Sequence, residues 1–216
     1  MRIVLNAHLL SSQSGYRAAG IHTYIHQLLT HLAQVTSPDW DFTALVGAAV
    51  RAEYPGVALR HARWNTEPPL RRIVWEQVAQ PWRVRGFDLL HSMAFVSPLV
   101  QPLPAVVTVY DLTFRRYPER LSTARRFYLR ALTGLSCRRA RRVLAISQST
   151  ADDLTSMLGI APQKIDVTPL GYDEARFRPL PAEAIADFRR AKNLPQRFWL
   201  FEGTLEPRKN VDRLLE

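Results

Sequence analysis

Cysteine is almost missing from this chain: 216 residues contain one, Cys137. A lone cysteine excludes a disulfide framework and any Cys-based metal site within one chain, and it fits a reducing cytoplasm. Long apolar runs are missing as well. Nothing approaches ~18 continuous apolar residues, and the run after Met1 is too short for a signal peptide, so the expectation is a soluble protein that meets a membrane only at its surface. Glycine is sparse, with nine residues. The first strand–helix loop holds only Gly15 and Gly20, short of G-x-G-x-x-G, and Leu45-Val46-Gly47-Ala48 supplies no ribose-binding acid, which argues against a nicotinamide-dependent oxidoreductase. Acids are outnumbered: 19 Asp and Glu face 29 Lys and Arg, a formal net charge of +10, with a pI near 10.4. Such an excess implies an anionic partner (nucleic acid, phospholipid or a phosphorylated substrate) or simply arginine on solvated faces. No helix-turn-helix, RNP or zinc pattern accompanies the charge, so nucleic acid is the weakest of these readings.

What is present is a regular alternation of strands and helices. Apolar runs read as strands at Arg2–Ala7, Phe42–Gly47, Val57–Arg60, Phe87–His91, Ala105–Asp111, Val143–Ser147 and Lys164–Pro169. Apolar residues at 21, 24, 25, 28, 29 and 32 recur at helical spacing. Pro68-Pro69 open a second helix through Val78, with prolines suited to its first turn. A long third helix is expected from Ser122 to Arg142, and Ser149 is expected to cap a short fourth. The pattern predicts an α/β fold with a doubly wound, mainly parallel, Rossmann-like sheet over residues 1–178. A Pro- and Ala-rich linker spans 179–197. Residues 198–216 then read as the first strand, turn and helix start of a second domain that the chain does not complete.

That last segment carries the clearest chemistry. Phe198-Trp199-Leu200-Phe201 is a buried-type strand, Gly203 and Pro207 mark a turn, Arg208 and Lys209 supply charge, and Asn210 is placed to cap a helix. Strand, turn, cations and helix start is how α/β proteins hold a phosphate. With no sheet to join, 198–203 is also a candidate surface for association. Tyr110-Asp111 end the central strand, where open α/β sheets contact ligands, although Asp111 could equally cap the following turn. Gly15 and Gly20 would let backbone approach a donor phosphate or an acceptor, or simply form an ordinary loop. His91, ending the fourth strand, is a candidate acceptor contact. His22 and His26 stand four apart, but no third ligand joins them, and no metal or cofactor is expected. Between Arg115 and Arg142 there are ten arginines and one acid, Glu119. Arg125, Arg126, Arg130, Arg138 and Arg139 make this helix either a patch for an anionic membrane surface or a solvated face.

Several segments resemble one family when taken together. Val107-Thr108-Val109-Tyr110-Asp111-Leu112, Tyr117-Pro118-Glu119, Ala145-Ile146-Ser147-Gln148-Ser149, Pro169-Leu170-Gly171-Tyr172-Asp173 and Gly203-Thr204-Leu205-Glu206-Pro207-Arg208-Lys209-Asn210 occur in the order found in family 4 ("group 1") glycosyltransferases. The look is closest to the mannosyltransferase-like branch that builds bacterial surface polysaccharides. The resemblance implies a GT-B enzyme that needs no metal and transfers a sugar from a nucleotide diphosphate sugar with retention. GDP-mannose is the candidate donor, and a glycan or lipid-linked molecule the acceptor. It implies that Arg208 and Lys209 lie near the donor diphosphate, and that Tyr110 and Asp111 stand where the family more often has His-Asp beside the transferred sugar. Thr204 replaces an arginine common in the family. The family's acidic E-x7-E element is absent, so the resemblance implies an N-terminal part that is inactive alone. The expected location is cytoplasmic, and peripheral on the inner membrane surface if the arginine-rich helix docks there. The rival readings are a non-catalytic interaction module and an anionic-surface-binding α/β domain.

Overall fold

The computed structural model describes residues 1–10, 20–116, 123–203, 205 and 209–215, with backbone alone for 123–127. Two compact units divide the chain, Met1–Leu170 and Gly171–Glu216.

The first unit is built on a parallel sheet of seven strands: β1 (Arg2–Asn6), β2 (Asp41–Val46), β3 (Val57–His61), β4 (Leu89–Ser92), β5 (Ala105–Val109), β6 (Arg142–Ala145) and β7 (Ile165–Val167), in the order β3-β2-β1-β4-β5-β6-β7. The expected doubly wound sheet is present, and every pairing between its strands is parallel. Apolar residues run continuously along the central strands because both faces are covered. On one face, α1 (Gly20–Val35) buries Ile25 and Leu29 against Ile3, Leu5, Phe42 and Ala44. On the other, Val4, Leu45 and Leu90 pack against Trp75 and Val84. Trp75 lies within, and Val84 caps the end of, a continuous rod: α2 (Pro69–Val74), a π-helical turn at Trp75–Ala79, and α3 (Gln80–Arg83). Pro69 occupies its first turn as expected. After the short α4 (Thr113–Arg116), α5 (Thr123–Arg139) and α6 (Gln148–Leu158) close over β5 and β6, with Cys137, Ala140, Leu154 and Leu158 against Val107, Val109, Val143 and Ala145.

The turn before β3 requires glycine. Gly56 takes φ 69°, and a Cβ there would stand 2.5 Å from the Cβ of Ala33 near the end of α1. Both the backbone conformation and the close approach demand a residue without a side chain.

Several boundaries differ from the sequence reading, each for a physical reason. The helix expected to 142 stops at Arg139, because the Arg141 N–H already donates to Ala105 O at 2.7 Å and Arg142 is in register with Val106 in the sheet. The cap of α6 is Ser147 and not Ser149: Ser147 is extended, and its Oγ accepts from the Thr150 N–H at 3.2 Å. The second unit contains a helix, α7 (Ala182–Ala191), inside the stretch expected as a linker. Phe198–Phe201 forms no strand, and Trp199 is 92% exposed; among the described residues no strand pairs with it, so its N–H and C=O groups have no ladder to join. Asn210 sits at φ 51°, and α8 (Asp212–Leu215) starts two residues later, so Asn210 is a turn residue and not the helix cap.

Candidate functional site

From β1 the chain winds through β2 and β3 in one direction, then returns to place β4 on the other side of β1. The strand order therefore reverses between β1 and β4, and the crevice outside their C-terminal ends is where open α/β sheets take ligands. Asn6 and Ser92 end these strands as register partners and share a face, the one covered by the α2–α3 rod.

A buried polar cluster occupies this place. Asn6 Nδ2 donates to Glu76 Oε1 at 3.4 Å, and Asn6 Oδ1 accepts from the His8 N–H at 3.3 Å. Glu76 Oε2 accepts from the Tyr128 hydroxyl at 3.0 Å, and Arg72 Nε lies 4.0 Å from Oε1. His8 Nδ1 is 3.0 Å from Thr66 Oγ1, and the His8 ring lies 3.9 Å from the ring of Trp75. Burial raises the Glu76 carboxyl above its ordinary range, against the pull of Arg72 and of the hydrogen bonds from Tyr128 and Asn6. Burial, helped by the Arg72 charge, lowers the His8 imidazole to about 3, so it is neutral at pH 7. On this side of the sheet, among the described residues, His8 Nε2, Ser92 Oγ and both amide atoms of Gln80 are buried without a protein partner. Buried polar atoms are normally satisfied by protein, water or ligand, so this is a place equipped to hold a polar group. Glu76 reaches it from the π-helical turn, a distortion that recurs at functional sites. Sequence reasoning overlooked Asn6, His8, Glu76 and Tyr128. The signals were faint: one amide ending an apolar strand, and one acid within Ile73-Val74-Trp75-Glu76.

The residues singled out from sequence fall in different places. Tyr110 is buried next to the end of β5; its hydroxyl donates to Met93 O at 2.8 Å, and its ring meets Tyr24 edge-on at 5.4 Å. Burial, reinforced by Tyr24, pushes its phenol far above the usual range. Asp111 is exposed, and its Oδ1 accepts from the Thr113 N–H at 3.0 Å, the turn-capping arrangement. His91 lies within β4 with Nε2 2.8 Å from Thr108 Oγ1 on β5, and burial lowers its imidazole to about 4. Gly20 is the exposed first residue of α1. Lys209 is exposed in the second unit. Gly15 and Arg208 lie outside the described residues, as do the side chains of Arg125 and Arg126. His22 and His26 stack with centroids 6.1 Å apart, and His26 Nδ1 is 3.0 Å from the Tyr54 hydroxyl.

Much of the arginine run works inside the first unit. Arg115 and Arg138 donate to the carbonyls of Met157 and Leu158 at the end of α6, at 3.4 and 3.1 Å, satisfying acceptors that a helix end leaves open. Arg116 forks onto Asp153 and Arg142 onto Asp166, while Arg139 donates to Leu99 O. Arg130 is exposed.

Comparison with known proteins falls on this same unit. The family described as Glycosyltransferase Family 4 matches residues 18–176. O-antigen chain mannosyltransferase B of Escherichia coli is 25% identical over 139 residues, which cover 63% of this chain and 36% of that protein. The chain thus spans about a third of the length of that relative. With the family match covering most of the chain and the expected sheet beneath it, the chain belongs to Glycosyltransferase Family 4.

Proposed function

We propose that this chain is the acceptor-side part of a retaining GT-B glycosyltransferase. It would pass a sugar from a nucleotide diphosphate sugar to a glycan or lipid-linked acceptor during surface polysaccharide synthesis. The observation that carries this reading is the family match over 18–176, laid over a sheet whose switch point holds a buried polar cluster. The name of the relative, an O-antigen chain mannosyltransferase, makes GDP-mannose the first donor to test. In this reading residues 1–178 form the acceptor-side domain, 179–197 the linker, and 198–216 the opening of the donor-binding domain. Arg208 and Lys209 neutralise the leaving diphosphate as the glycosidic bond breaks, a charge that develops in the transition state. Gly15 and Gly20 bring backbone to the donor, Asp111 and the ring of Tyr110 (its hydroxyl held by Met93 O) face the transferred sugar, and His91 serves the acceptor. The location is cytoplasmic, at the inner membrane surface.

The test is transfer of radiolabelled mannose from GDP-mannose to membrane-extracted lipid-linked glycan by the complete gene product. Turnover is expected there and none from the 216-residue chain alone. Lys209→Ala in the complete protein is expected to lower kcat by about a hundredfold. Absence of transfer with every common nucleotide sugar would overturn the reading.

A further inference from the structure

The outer side of the α2–α3 rod is apolar and open to solvent. Leu70, Val74, Val78 and Trp82 are 69%, 52%, 62% and 65% exposed. In an uninterrupted α-helix, each step of four residues advances about 40° beyond a full turn, so four such residues would spiral around the rod. Here the π-helical turn at Trp75–Ala79 spends about one more residue per turn. The step from Val74 to Val78 therefore falls short of a full turn and cancels the drift. The same turn that sends Trp75 and Glu76 inward keeps the four apolar residues in one outward line.

The surroundings of this line are cationic. Between Arg63 and Arg85 there are five arginines and two acids, Glu67 and the buried Glu76. Arg85 lies over the Trp82 ring at 3.8 Å. Gln77, on the π-turn, holds the loop that carries Val100 by accepting from the Leu99 N–H at 3.1 Å, and Val100 is 77% exposed. Arg139 of α5 donates to Leu99 O of the same loop.

We propose that this face is a membrane-docking surface: Leu70, Val74, Val78, Trp82 and Val100 enter the boundary between headgroups and acyl chains, while Arg71, Arg85 and Arg139 take anionic headgroups. An in-line apolar strip with a tryptophan and flanking cations suits a helix lying in an anionic interface. The charge argues against a second copy of this chain, since two such faces would bring arginine against arginine. Docking thus centres on α2–α3, and the basic helix α5 contributes at its margin.

Co-sedimentation of the 216-residue chain with vesicles of equal parts phosphatidylglycerol and phosphatidylcholine tests this. The chain is expected to pellet with these vesicles and far less with phosphatidylcholine alone, and added salt is expected to weaken binding. Val78→Asp and Trp82→Asp are each expected to lower partitioning about tenfold, and Arg71→Ala with Arg85→Ala several-fold. The gentler Val74→Ser should fall between, with unchanged far-ultraviolet circular dichroism marking the variants as folded. Brominated lipid is expected to quench tryptophan emission less in Trp82→Phe. Absence of binding, equal binding to neutral vesicles, or Val78→Asp and Val74→Ser that bind like the parent would overturn the proposal. So would a dimer in sedimentation equilibrium that Val78→Asp dissolves. Vesicle binding is read without turnover, so a failure of sugar transfer leaves this result standing.

Discussion

Two histidines of the first unit, His8 and His91, are neutral because burial outweighs their tendency to protonate, with imidazoles near 3 and near 4. In the unfolded chain both return toward 6.5. The unfolded state then binds more protons between those values, so their contribution is full above about pH 6.5 and is lost as pH falls toward 4 and below. Glu76 runs the other way: its carboxyl is raised, so its contribution is full at low pH and declines as pH rises through the folded value. Urea unfolding from about pH 7 to about pH 5 is expected to show falling stability, and a His8→Gln/His91→Gln variant a flatter slope. Tyr110 gives a second test. Its hydroxyl is already committed to Met93 O, so Tyr110→Phe should cost about 1 kcal/mol or somewhat more in stability through the carbonyl left unpaired. In the complete enzyme the same change should leave kcat within about threefold, because loss of a bond made only in the transition state would cost much more. A larger loss of kcat would mean that the hydroxyl exchanges Met93 O for substrate.

Among the elements, strands were the most legible and helix ends the least. A run such as Val106-Val107-Thr108-Val109 can hardly be anything but a covered strand, and its neighbours follow from right-handed crossovers. A cap is harder to read when Ser147 and Ser149 stand two positions apart at the same helix start, since either hydroxyl suits the role. The choice was made by backbone: Ser147 is extended after the end of β6, and Ser149 is already inside the helix. Ser147→Ala is therefore expected to lower stability by about 1 kcal/mol and Ser149→Ala by less than about 0.5 kcal/mol, measured by thermal or urea unfolding. Equal effects would move the cap. The π-turn left no mark in the apolar pattern, because such a turn is a compromise with packing: it lets Trp75 and Glu76 face the sheet in succession while Val74 and Val78 remain outside.

At the scale of the whole molecule, the chain is one large unit with a tight core and a smaller one whose large apolar residues stay exposed, among them Phe177, Phe188, Trp199 and Leu200. The stretch from Thr168 to Glu183 is exposed throughout and contains Arg176 and Arg178. Brief trypsin treatment is expected to cut there first and to leave a fragment near Met1–Arg176 with an unfolding midpoint close to that of the intact chain. Early loss of the whole first unit would show that its stability depends on the second. Exposed Trp199 and Leu200 should also make the chain prone to association at high concentration.

Local composition determined a good deal by itself: seven strands, the Rossmann-like class, the basic character and the order of segments that mark Family 4, all properties of short stretches read in sequence. Tertiary structure alone decided which polar residues matter together. Asn6, His8, Thr66, Glu76 and Tyr128 meet from places far apart in the chain, and no spacing rule links them. Their union depends on the reversal of strand order beside β1 and on a π-turn that aims one carboxylate at that point. Periodicity records which face of an element is buried, and only packing decides what each buried polar group finds there.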